Sequence, residues 1–115
     1  MDLKSIGIDI EEVGRFRQLL YATNKNFYKK IFTEKEIKYC LSKSDPYQHF
    51  AGKFAAKEAV AKALNQSVYK AKKIEVLNKK DGSPIVKFQV SSIKYQVLVS
   101  ISHTKDHAIA IAMAF

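Results

Sequence analysis

An α+β fold is predicted by three features of this 115-residue chain. Apolar and polar residues alternate near its start, an alanine-rich helical segment occupies its middle, and short β-rich runs bounded by turn signals fill its second half. The alternation comes first in the chain. Ile6, Ile8 and Ile10 interleave with Gly7, Asp9 and Glu11, the period of two expected of a strand with one buried face, so the two acids point opposite the isoleucines. A solvated sheet face is the ordinary meaning of such acids. Convergence with a carboxylate from another element is the alternative.

Residues 13–22 read as a helix with Arg15 and Arg17 near its start, and a basic segment follows at 24–31, kept wet by Lys25, Lys29 and Lys30. Thr33-Glu34-Lys35-Glu36 is a capping box, so a short helix should run to about residue 42. Asp45-Pro46 repeats the start signal as N-cap and first helical residue. The long helix that follows should reach about residue 64, where Asn65 can take the left-handed conformation that ends it. Strands are expected at 74–77, 84–90, 95–102 and 108–114, with Asp81-Gly82 as a hairpin turn and Thr104-Lys105-Asp106 as a second. The expected architecture is one domain over residues 1–115: a mostly antiparallel sheet, joined by the N-terminal strand, packed against a long central helix.

The formal charge of +9 and pI near 9.6 call for a polyanionic partner: nucleic acid, a membrane surface, an acidic protein or phosphorylated small molecules. Arg15 and Arg17 are the only arginines among 20 basic residues, which tilts away from base-reading nucleic-acid binding. No apolar run approaches the roughly 18 residues of a membrane span, and no basic-then-apolar signal region opens the chain, so a cytoplasmic location without membrane association is expected. The lone Cys40 can form neither an internal disulfide nor a structural zinc site, and is expected to pack.

The chemistry concentrates in Phe54-Ala55-Ala56-Lys57-Glu58-Ala59-Val60-Ala61-Lys62. Phe50, Phe54, Lys57, Ala61 and Leu64 share one helix face, Glu58 and Lys62 flank it, and alanines cover much of the rest. Such a helix is largely buried. Buried charge is costly unless paired or bound, which suggests phosphate and a divalent cation as partners. Glu58 can instead pair with Lys62 at i, i+4, and Lys57 can snorkel to the edge. Asp9 on the strand and Glu58 on the helix are the minimum for a magnesium site, since that ion takes one or two carboxylates and completes its shell with water and phosphate. His103 ends the Val97/Val99/Ile101 face among Ser100, Ser102, Thr104 and Lys105, a donor group suited to phosphate. A strand-end histidine is also commonly structural. His49 and His107 show no comparable setting.

Gly7-Ile8-Asp9, then Phe54-Ala55-Ala56-Lys57-Glu58-Ala59 with Lys62, then Ser102-His103-Thr104 before the last strand together resemble the 4'-phosphopantetheinyl transferases, most closely their small type. The resemblance spans nearly the whole chain. It implies magnesium-dependent transfer of the phosphopantetheine arm of coenzyme A to a serine of an acidic acyl carrier protein, in a homotrimer with sites between subunits. Asp9 and Glu58 match the metal ligands, with Glu11 as a third or one bound through water. An acid at Glu11 is more usual in the larger, two-lobed relatives. Lys62 matches the lysine near the pyrophosphate, so Asp9, Glu58 and Lys62 are the expected catalytic group, with Glu58 or a metal-bound water as base. Lys53, Lys57, Lys62 and His103 are expected to bind coenzyme A, Lys53 at the 3'-phosphate and His103 from a neighbouring subunit. Arg15 matches a carrier-interface arginine, and Arg17 with Lys25, Lys29 and Lys30 extends that surface. Two other classes stay open: a basic nucleic-acid-binding module, and a magnesium-dependent hydrolase of nucleotide pyrophosphates.

Overall fold

Every second residue of the last strand is alanine, and that pattern sets the spacing of the whole structure, a computed structural model that describes residues 2–65, 69–89 and 95–115. Strand β1 (Ser5–Glu12) is followed by helix α1 (Val13–Arg17), a 3-10 turn at Tyr21–Thr23, α2 (Lys25–Ile31), α3 (Glu34–Leu41) and the long α4 (Pro46–Ala63). A second 3-10 turn at Ala71–Lys73 leads into β2 (Ile74–Asn78), β3 (Pro84–Phe88), β4 (Val97–His103) and β5 (His107–Ala114). Strands β1, β5 and β4 form an antiparallel sheet in that order, and β2 with β3 forms a separate hairpin. On the inner face of the larger sheet, Gly7, Asp9 and Glu11 lie opposite Ala112, Ala110 and Ala108. These small residues admit the alanine-rich α4 at close range.

Gly7 shows how close. A Cβ built there would lie 2.0 Å from the Ala59 carbonyl oxygen and 2.7 Å from the Ala63 nitrogen, so only glycine permits this contact of strand with helix backbone. The face of β1 expected to be solvated is therefore the packed one. Ile6, Ile8 and Ile10, expected inside, are 57%, 56% and 61% exposed. Alternation fixed the two faces correctly but not which of them the helix covers.

Two cores flank α4. Its alanines pack with Ile74, Val76 and the β5 alanines, while Phe50 and Ala51 join an aromatic cluster of Val13, Phe16, Tyr28, Phe32, Ile37 and Cys40. Cys40 is packing, as expected, and burial pushes its thiol up to about 12. Helix α1 stops at Arg17 instead of residue 22, and the chain at its end is held by the Tyr28 hydroxyl, 2.7 Å from Leu19 O and 3.1 Å from Phe16 O. The basic segment is likewise a helix, α2, with its lysines outward and Tyr28 fully buried.

The start and stop signals behave as expected. Thr33 and Glu36 form the capping box, Asn65 adopts φ 58° after α4 and Gly82 takes φ 91° in the β2–β3 turn. Thr104 N donates to His107 O at 2.8 Å across the β4–β5 turn. Asp45 departs from its expected role: it sits at the N-cap of α4 but makes no side-chain cap, because its carboxylate accepts two bonds from Arg17, at 3.0 and 2.7 Å. Strand β3 ends at Phe88, and Val90, the expected end of that strand, lies outside the described residues.

Candidate active site

The close approach at Gly7 brings the acids of β1 against the polar edge of α4. Glu11 is 8% exposed, and among the described residues its cationic contact is Arg15, Nη1 to Oε1 3.3 Å. Burial, reinforced by the adjoining Asp9 and by Glu58 and only partly offset by Arg15, pushes the Glu11 carboxyl up to about 8. Lys62 Nζ donates to Ile8 O at 2.9 Å and lies 3.4 Å from Asp9 Oδ1. The other Asp9 oxygen, Oδ2, is buried and finds no hydrogen-bond partner among the described residues. The hydroxyl of Tyr69 lies next to the Glu58 carboxylate without closing a full hydrogen bond among the described residues, and burial with the neighbouring Glu58, Asp9 and Glu11 carboxylates holds it well above the usual phenol range.

Three acidic side chains thus crowd a partly buried space with Lys62 and Arg15 at its edge, and Asp9 Oδ2 has no donor among the described residues. Crowded acid oxygens of this kind suit a hard cation, which would displace the proton that the raised Glu11 carboxyl holds. Among the described residues no three His, Cys, Asp or Glu side chains close into a metal cage, so an ion here would take few protein oxygens and leave room for water and phosphate. The alternative i, i+4 pairing of Glu58 with Lys62 is not what forms. Lys62 turns to Asp9 and Ile8 instead.

Lys57, expected to hold a coenzyme A phosphate, belongs to the core. It is 0% exposed, and its three N–H donors go to Glu36 Oε1 at 2.9 Å, Ala71 O at 2.9 Å and Ile74 O at 2.6 Å. Glu36 is equally buried and also accepts from Thr33 N at 2.8 Å and Val76 N at 2.7 Å. The capping-box acid therefore ties α3, α4 and β2 together, a role that becomes visible only once the tertiary contacts are known.

Lys53 and His103 share a cavity that stands apart from the carboxylates. They line a small cavity of about 130 Å³ with Tyr39, His49, Asn78 and Pro84, and neither Asp9 nor Glu58 borders it. Lys53 Nζ donates to Val76 O at 2.5 Å and Asn78 Oδ1 at 2.6 Å, with the Tyr39 ring centroid 4.6 Å away. His49, set aside on sequence, stacks edge-on against His103 with ring centroids 5.4 Å apart. Its spacing of four from Lys53 on the helix was the available signal. Arg15 stays largely exposed beside an apolar cavity of about 190 Å³ lined by Phe16, Leu19, Phe27, Ile31 and Phe54. Arg17, expected on the same surface, is engaged by Asp45 and by Lys105 O at 3.1 Å.

A family model for the 4'-phosphopantetheinyl transferase superfamily matches residues 5–112. The chain belongs to that superfamily. Among curated relatives it is 42% identical to the holo-[acyl-carrier-protein] synthase of Chlorobaculum parvum over 111 residues, covering 94% of this chain and 95% of that protein. It is also 42% identical to the Chlamydia pneumoniae protein of the same name over 124 residues, covering 99% and 98%. The Bacillus anthracis holo-(acyl-carrier-protein) synthase solved with CoA (3',5'-ADP) superposes with TM-score 0.82 at 33% identity, over 97% of this chain and 96% of that one. The Helicobacter pylori synthase in complex with coenzyme A gives TM-score 0.83 at 27% identity, over 96% and 99%.

Proposed function

We propose that this chain transfers the 4'-phosphopantetheine arm of coenzyme A to a serine of an apo acyl carrier protein, giving the holo carrier and adenosine 3',5'-bisphosphate. One observation carries the chemistry: Asp9, Glu11 and Glu58 converge beside Lys62 with the Asp9 Oδ2 unpartnered among the described residues. Asp9 and Glu58, with Glu11 beside them, would hold a magnesium ion, which when bound supplies positive charge against the coenzyme A diphosphate. Manganese offers the same charge to the same oxygens.

The serine oxygen forms a bond to the phosphorus that bears pantetheine, and the bond from that phosphorus to the bisphosphate oxygen breaks with its electron pair. Lys62, 55% exposed at its side chain, is free to follow the growing charge on the leaving group. Glu58, or a water held beside it, would take the serine proton. Arg15, exposed beside its apolar cavity, meets the acidic carrier, with electrostatic steering of the encounter.

His103 and Lys53 complete the site from a second copy in this reading, because within one chain their cavity does not border the carboxylates. The outer face of the β1–β5–β4 sheet supports self-association: Ile6, Ile8, Ile10, Leu98 and Ile109 are exposed there, and apolar side chains gathered on one exposed face mark an interaction surface. We take the assembly to be a homotrimer in the cytoplasm. Sedimentation of the wild type and of Ile8→Glu checks this, with a wild type that stays monomeric at micromolar concentration excluding it.

Incubation with coenzyme A, magnesium and apo carrier, followed by intact mass, tests the reaction. The carrier should gain the phosphopantetheine arm. Release of the bisphosphate without modification of the carrier would instead identify a pyrophosphate hydrolase.

A further inference from the structure

We infer that a second basic surface, the cleft bounded by α2, the start of α3 and the 3-10 turn at Ala71–Lys73, grips the acidic protein that carries the acceptor serine. The inference rests on the transfer reading above. Lys30, Lys35, Lys70, Lys72 and Lys73 line this open cleft of about 910 Å³. All five are exposed, and none joins an ion pair among the described residues. Of the two acids at the lining, Glu34 is exposed, while Glu75 is buried and already accepts from Thr33 Oγ1 at 2.6 Å and Gln89 Nε2 at 3.2 Å. Unneutralised cations gathered in a concavity concentrate positive potential there. A polyanion relieves it.

Position selects the polyanion. Tyr69 lines the cleft and also neighbours the Glu58 carboxylate, so the lysines begin where the reacting site ends. Helix α2 divides this cleft from the apolar cavity beside Arg15: Lys30 lines the former, Phe27 and Ile31 the latter. A protein partner covers roughly 800 Å² of surface, far more than the reacting group needs. With its serine at Glu58, an acceptor must rest its body on the flanks of the site, and a second flank is this row of lysines. Lysine suits the task, since steering and loose contact need charge without the fixed geometry of an arginine fork. A nucleic acid would meet the same charge but gives no reason for the cleft to share Tyr69 with the Glu58 carboxylate.

The test is direct binding of an apo acyl carrier protein, read by fluorescence anisotropy, to the wild type and to the triple variant K70E/K72E/K73E, with circular dichroism confirming the fold. At low salt the dissociation constant should rise about tenfold or more in the variant, and the gap should narrow at about 0.5 M salt, where the Debye length falls to a few Å. In turnover, KM for the carrier should rise while KM for coenzyme A and kcat hold. Carrier affinity within twofold of the wild type overturns the inference, as does loss of oligonucleotide binding with carrier affinity unchanged. A wild type that binds the carrier in this salt-dependent way but transfers nothing would remove the proposed reaction and leave the surface standing.

Discussion

Helix α4 carries two acid–lysine clusters one turn apart, and they are built on opposite terms. Around Lys57 every polar atom is answered: three acceptors surround the ammonium, and Glu36 receives donors from Thr33, Val76 and Lys57. Around Lys62 the ledger is open, with a 3.4 Å contact to Asp9, an acid oxygen and a phenol left unpartnered among the described residues, and a Glu11 carboxyl pushed up to about 8. Burial alone does not mark a functional charge. Incomplete satisfaction does, because a folded chain closes its hydrogen bonds wherever no ligand is to be accommodated.

The largest effect expected from this contrast is on stability at the closed cluster. Lys57→Met removes one member of a fully buried pair and leaves Glu36 charged in the core, which should cost about 3 to 5 kcal/mol in urea unfolding. Pairing it with Glu36→Gln should recover part of that loss, since the two side chains contact each other and their effects are not additive. A Lys57→Met protein as stable as the wild type but unable to bind coenzyme A would return Lys57 to the ligand side and erase the distinction.

At the open cluster the order reverses. Asp9→Ala and Glu58→Ala should each lower kcat by about 100- to 1000-fold, on the order of 3 to 4 kcal/mol in the transition state, while the melting temperature holds or rises because crowded carboxylates repel one another. Unchanged turnover in both variants would sink the metal assignment. A fall in melting temperature comparable to that of Lys57→Met would show that these acids support the fold after all.

The fold was legible where a residue acts locally. Thr33 and Glu36 cap a helix by their own spacing, Asn65 tolerates positive φ through its short polar side chain and Gly82 through its lack of a Cβ, and the alanines of α4 announce burial without tertiary knowledge. What could not be read was which neighbour each element meets. The isoleucines of β1 and the acids of β1 define two faces equally well, and the choice falls to Gly7, whose missing Cβ lets the Ala59 carbonyl approach. A glycine alternating with acids, opposite a strand of alternating alanines, was the available hint. For the site, residue types drew attention to Asp9, Glu58 and Lys62, of which Lys62 lies 3.4 Å from Asp9, whereas the place of Lys57 required knowing that Glu36 lies 21 residues away in sequence and 2.9 Å away in space.

The smallest effect belongs to a third group on the same helix, His49, intermediate between the two clusters. Burial, helped by the adjoining His103, Lys43 and Lys53, holds its imidazole below the usual 6.5. A histidine whose folded pKa is depressed binds fewer protons than the unfolded chain in the window below 6.5, so stability contributed above that pH is lost as the pH falls through the folded value. The stability that His49 itself contributes should therefore decline modestly from pH 7 toward pH 5, against the opposite slope of the raised Glu11 carboxyl, and the difference between the wild type and His49→Gln isolates it. The readout is urea unfolding at several pH values. A slope unchanged by the substitution would mean that His49 titrates as it does in the unfolded chain. The cavity it shares with His103 and Lys53 would then be open to water, not the low-dielectric pocket that its packing against Tyr39 describes.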